Sequence, residues 1–291
     1  MATDKPKNAP KQVNPLKGPT VVRHQDASRF LWGDGKSGEV ADIVYGRNEK
    51  IATLIYKLKP GGYFKSSDSW KSFFDQDRFY YVLKGELAVK DPSTGDTAIA
   101  RAGEAVLFRG ARWHFGYNFR TEECAVLDWY GPQERPPHVS ELEFGATKPR
   151  FGTEQDGRSD LLQRWPQALA SARAEAANSG GPITLTRRDA LPFIHGDEHP
   201  VLELLFASTE KLTAGVAELM PGARSDDRSH PGDKIMFVTT GKLHVYLPDS
   251  YDWFELDTWD MLYLPPKTRH QYWNYTDQPL SFAFLVVPHY A

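Results

Sequence analysis

At 291 residues the chain is long enough to bury two cores of ordinary size. Its formal charge of −3, with Lys and Arg interspersed among acids, leaves no electrostatic footprint for nucleic acid, and no apolar run approaches the length of a membrane span. One cysteine, Cys124, excludes an intramolecular disulfide; in the run CAVLDWY it is expected to be a buried, inert thiol, and with no apolar leader the expected setting is soluble, reducing and cytoplasmic.

Residues 1–20, rich in Lys and Pro, read as a solvated arm. From 21 to about 145 the chain alternates in short segments, for example KIATLIYKL, FYYVLKGELAV and EAVLFRG, punctuated by Gly, Pro, Asp and Asn. That pattern predicts an all-β domain. Residues 146–182 form the connection; within them SDLLQRWPQALASARAEAANSG predicts one helix, interrupted near Pro166 and stopped by Gly180 and Gly181. The β pattern then returns from 183 to 291.

It returns in register. KIATLIYKLKPGG from Lys50 matches KLTAGVAELMPGA from Lys211, an offset of 161 residues, and FLWGD matches FIHGD. Further on, Gly85 corresponds to Gly241, Pro92 to Pro248, His114 to His270 and Asn118 to Asn274, all at an offset of 156. The first copy therefore carries five more residues between Gly61 and Arg78, in the aromatic and charged stretch YFKSSDSWKSFFDQDR, a loop of the kind that binds or covers something at a barrel mouth or serves as an oligomer contact. The chain is a tandem duplication of an all-β unit.

Two stretches concentrate the chemistry, RSHPGDKIMFVTTGKLHVYLP and YLPPKTRHQYWN. In the first, alternation sets Lys234, Met236 and Val238 on one face and Ile235, Phe237 and Thr239 on the other. In the second, His270, Tyr272 and Asn274 share a side. Each half resembles a cupin, and the whole resembles a bicupin: two jelly-roll barrels joined by a helical linker, over residues 21–145 and 183–291. In that family two early His, a Glu and a late His commonly hold one Fe, Mn, Ni, Zn or Cu ion. Here the first His position is Arg228 and the Glu position is Lys234, so only His230 and His270 remain of the set in the second half. In the first half the Glu position is Arg78, the early His positions fall on Ser67 and Ser69 or on Ser72 and Phe74, and His114 alone is kept.

Arg and protonated Lys do not coordinate cations and would repel them. The leading expectation is therefore a barrel without metal or other cofactor, in which His230, His270 and Lys234 are catalytic and Arg228, Tyr272 and Asn274 bind a small anionic substrate. The reaction would be of isomerase, lyase or cyclase type. Arg78 and His114 are the corresponding candidates in the first barrel, against a reading in which Arg78 pairs with Asp75 or Asp77 and His114 is a core residue satisfied by Asn118. In the second barrel the competing structural reading pairs Arg228 and Lys234 with Asp226, Asp227 or Asp233. Tyr80, Tyr117, Tyr272 and Trp273 would suit a flat ligand or fill the barrels. The alternative function is a dioxygenase or decarboxylase in which His230 and His270, with Asp226 or Asp233, hold Fe or Mn. A third is a non-catalytic binding protein. A homodimer is compatible with the family; nucleic-acid and membrane partners are not expected.

Overall fold

The computed structural model describes residues 14–67, 72–74, 76–110, 112–131, 157–178 and 180–291. Residues 1–13 of the arm, 132–145 at the end of the expected first barrel, 146–156 of the connection and part of the long loop before Arg78 lie outside the described residues. Two barrels account for most of the rest. In the N-terminal one, a sheet runs in the order 183–185, 105–108, 78–84, 124–130, 52–58, 38–47, 28–34 and faces a smaller sheet of 63–64, 115–117, 86–90 and 97–101. The C-terminal barrel repeats this, with 20–22, 261–264, 233–240, 280–287, 213–219, 201–208 and 191–195 facing 252–256, 243–247 and 271–273.

The outermost strands are exchanged. Thr20–Val22 pairs with Met261–Leu264 of the C-terminal barrel, and Ile183–Leu185 pairs with Ala105–Phe108 of the N-terminal barrel. The arm therefore ends earlier than its composition suggests: Leu16 is buried and Pro15 bridges Arg47. Each barrel caps a sheet edge of the other, which removes two unpaired edges.

Alternation along the strands gives three apolar clusters. Val126, Val82 and Tyr80 fill the N-terminal barrel, and Met236, Val238 and Tyr272 the C-terminal one. The opposite faces of both large sheets meet in a shared core containing Tyr45, Phe79, Trp129, Ile235 and Phe237. There Tyr45 stacks edge-on against Phe237 at 5.5 Å and donates to the Trp259 carbonyl at 2.9 Å. Cys124 is buried as expected, with burial pushing its thiol up to about 12.

The helix covers Pro166–Asn178. Pro166 begins it rather than interrupting one, because a first-turn position needs no N–H donor. Gly85 and Gly241 occupy equivalent turns at φ +77° and +80°, where a Cβ would meet the carbonyl oxygens of Glu123 and Pro279 at 2.8 and 2.7 Å. Among the described residues no helix is long and apolar enough to cross a membrane.

Candidate functional site

The strand Asp233–Thr240 sends Lys234 into the C-terminal barrel, where it is 1% exposed. Glu203 enters from Val201–Ser208 and is fully buried. Arg228 and His270 are tied by paired backbone hydrogen bonds of 3.0 and 2.9 Å, which brings the loop carrying Arg228 and His230 against the one carrying His270. Tyr290 closes the group.

Inside, Arg228 Nη1 donates to Glu203 Oε1 and Nη2 donates to Tyr290 Oη at 2.7 Å. Tyr290 Oη also donates to Glu203, and His195 Nε2 lies 3.3 Å from Glu203 Oε1. Lys234 Nζ stands between Tyr272 Oη and His230 Nε2, the latter at 3.0 Å. Burial, reinforced by the Arg228 charge, holds the Lys234 amine well below the ordinary lysine range. Burial acts to raise the Glu203 carboxyl, but His195 and Arg228 outweigh it and hold it low. The Arg228–Glu203 pair is thus internally neutral.

The two imidazoles are oriented alike. His230 Nδ1 hydrogen-bonds the Tyr290 carbonyl at 2.7 Å and His270 Nδ1 the Thr268 carbonyl at 2.9 Å. Each carbonyl can only accept, so each Nδ1 carries the proton and each Nε2 presents a lone pair. His270 Nε2 is buried and has no partner. Burial, and then the nearby Lys234, lowers both imidazoles far below their ordinary value.

Residues 215–288 match the family described as Cupin domain. Over 97% of this chain and 81% of theirs, oxalate decarboxylase structures from Bacillus subtilis superpose at a TM-score of 0.62 with 17% identity. The Lactobacillus farciminis oxalate decarboxylase formate complex superposes at 0.60 over 93% and 87%, with 16% identity. The fold is that of a tandem cupin. No curated protein matches it.

For this tandem cupin the expectation of no cofactor is overturned. Its fold neighbours are oxalate decarboxylases, which points to a metal. The physical objection also weakens: the expected cation repulsion assumed an unpaired Arg228, whereas Glu203 neutralises it, and burial disfavours the charged form of Lys234. His270 Nε2, buried and unpartnered, and His230 Nε2, which here accepts from Lys234 Nζ, are the two imidazole lone pairs the barrel offers a transition metal ion, with both Nδ1 protons fixed on carbonyls. A further donor group, Glu198, His199 and Asp226, brings three ligand atoms within 4.8 Å of one another outside the barrel.

Other expectations are corrected by position. Asp233 follows the opposite face to Lys234 and bonds Tyr263, Asn48 and Lys50. Asp226 accepts from the backbone N–H groups of Asp197 and Glu198 and pairs with His199. Neither joins His230 and His270, and neither pairs with Arg228; Asp227 is taken by Arg269. Asn274 spans a turn, donating to the Leu219 and Gln278 carbonyls, and Asn118 does the same toward Leu58, Lys59 and Glu122. Both are backbone clamps rather than substrate contacts. Tyr272 points inward, whereas Trp273 stacks with Tyr275 at 5.1 Å on the outer face.

In the N-terminal barrel Arg78 pairs with Asp128 at 2.6 Å, and Asp77 pairs with Arg109; Asp75 lies outside the described residues. His114 meets Tyr80 Oη at 2.9 Å rather than Asn118. The residues not singled out from sequence are Glu203, His195 and Tyr290. Glu203 carried a signal: it sits at an offset of 161 from Asp42, so an acid recurs at one inward strand position in both copies.

Proposed function

We propose that the tandem cupin binds a small organic acid in its C-terminal barrel and decarboxylates it. The observation that carries this reading is the pair of Nε2 lone pairs of His230 and His270 beside the buried Lys234 amine, which bonds that of His230 at 3.0 Å. The kinship of the fold with oxalate decarboxylases favours loss of CO2 over the isomerase and cyclase alternatives.

His230 and His270 would hold an Fe or Mn ion, which when bound supplies Lewis-acid polarisation of substrate oxygens and an attraction for anions. Arg228 stays fixed by Glu203, and its Nη2, now on Tyr290, is the donor a substrate carboxylate takes over. Lys234 accepts the acidic proton of the substrate at Nζ and returns it to the carbon from which CO2 departs, so the proton moves from oxygen to carbon and none is lost. Tyr272 fixes that amine through its hydroxyl. Tyr290, packed on His230 at 4.6 Å, keeps water from the group.

The test is CO2 release from oxalate, malonate and small 2-oxo acids by protein loaded with Fe or Mn, followed by membrane-inlet mass spectrometry. Release from one acid, abolished by His270→Ala and strongly reduced by Lys234→Met, is expected. Turnover of an acid without CO2 would contradict the reading.

A further inference from the structure

A cleft of about 380 Å³ opens at one end of the N-terminal barrel, lined by the turn from Arg47 to Ala52, by Gln76 and by Tyr130 and Gly131. That is the size of a small-molecule site. It shares no residue with the group around His230 and His270.

Its walls are held in place before any ligand arrives. Asn48 Oδ1 accepts from the backbone N–H groups of Lys50 at 2.9 Å and Ile51 at 3.0 Å, which fixes the turn, and Asn48 Nδ2 donates to Asp233 at 3.1 Å. Lys50 is committed to the same Asp233 at 3.3 Å. Ala52 pairs across the sheet with Tyr130, whose ring lies over the Arg78 guanidinium at 4.2 Å. A wall so tied loses little freedom when something binds against it.

Three groups in this cleft are left without a partner. Arg47 and Glu49 both line it, and among the described residues neither side chain is hydrogen-bonded or ion-paired. Burial raises the Tyr130 phenol, with Arg78 and then Arg47 opposing it, so the Arg47 charge is within electrostatic reach of that ring. Gln76 is only 4% exposed, and its Oε1 is buried with no hydrogen-bond partner. An unmet buried oxygen is costly, and rotation about the soft terminal torsion of the side chain turns it to a ligand.

The signs of these groups define what fits them. A simple anion on Arg47 would stand against Glu49, and a simple cation on Glu49 would stand against Arg47. A molecule carrying both signs a few atoms apart meets both. Its carboxylate suits the guanidinium fork, and its ammonium N–H groups suit the Glu49 carboxylate and the Gln76 oxygen. Ile51, Ala52 and the Tyr130 ring supply apolar wall for the remainder.

We propose that this cleft is a second binding site, for a free α-amino acid held as its zwitterion between Arg47 on one side and Glu49 with Gln76 on the other. It is independent of the reaction centre in the C-terminal barrel.

Isothermal titration calorimetry of the full chain with the common amino acids, and with acetate and methylammonium as the two half-ligands, tests it. One or more amino acids should bind saturably, and each half-ligand should bind about tenfold or more weakly, having lost a charge-assisted contact. Arg47→Met and Glu49→Gln, both at exposed turn positions, should fold as the wild type does and each weaken amino-acid binding by a similar factor. Gln76→Leu, which removes the unmet oxygen, should fold and bind more weakly. His270→Ala should bind as the wild type does. The proposal is overturned by the absence of saturable amino-acid binding, by unchanged affinity in Arg47→Met or Glu49→Gln, or by a half-ligand that binds as tightly as the best amino acid. Loss of binding in His270→Ala also overturns it, because the ligand would then sit in the other barrel.

Discussion

Arg228 and Glu203 form an ion pair inside the C-terminal barrel, the carboxylate fully buried and the guanidinium nearly so, with Tyr290 bonded to both. Removing one member leaves the other charged and dry, which is the expensive half of a buried pair. Glu203→Leu should destabilise the protein by about 3–5 kcal/mol in denaturant unfolding. The double variant Glu203→Leu/Arg228→Met should recover much of that loss. Equal instability in single and double variants would show that Arg228 is not held by this carboxylate.

Asp42 gives the pH dependence its sign. Its folded pKa is raised above the unfolded value near 3.8, so between the two the folded state keeps a proton that the unfolded state has released. Stability therefore falls as pH rises through the unfolded value, and the penalty is complete above the folded one. Asp42→Asn should be more stable than wild type at neutral pH and should converge with it in acid. A variant less stable than wild type at neutral pH would mean that the carboxyl is ionised and paired.

Asn118 and Asn274 perform one task in two copies, each clamping the backbone where its strand ends. Alanine at either position should cost about 1–3 kcal/mol by leaving buried carbonyl groups unpaired. Catalytic constants of Asn274→Ala should be unchanged at temperatures where it is folded, as checked by steady-state kinetics.

The shared core predicts cooperativity between barrels. Phe237→Ala should cost about 3–5 kcal/mol, and because its ring packs on Tyr45 of the other barrel, both halves should still unfold in one transition. Two separate calorimetric transitions in the wild type would contradict this coupling.

Much of this architecture was legible in the chain. Alternation along DKIMFVTT separates Lys234 and Met236 from Ile235 and Phe237, and the structure sends these sets into the barrel and the shared core respectively. The repeat offsets matched His114 to His270 in buried position, and Gly85 to Gly241 in turn geometry. What pairing does to charge was not legible. Lys234 looks cationic in sequence, yet burial holds it well below the ordinary lysine range, and the partner of Arg228 lies 25 residues upstream on another strand. Local spacing favoured Asp226 and Asp233 because they are near in sequence, but strand alternation turns Asp233 away and the amides of Asp197 and Glu198 capture Asp226. The strand exchange through Thr20–Val22 and Ile183–Leu185 was hidden for a similar reason: three residues of alternation do not say which sheet they join.

The central claim is that His230 and His270 hold a metal in the C-terminal barrel. Its most direct test is the metal content of chelator-stripped protein after reconstitution with Fe or Mn, measured by inductively coupled plasma mass spectrometry on wild type, His230→Ala, His270→Ala and His199→Ala. The account predicts near-stoichiometric metal in wild type and His199→Ala, and its loss in both barrel variants. Retention in the barrel variants with loss in His199→Ala, or no uptake by the wild type, would contradict it.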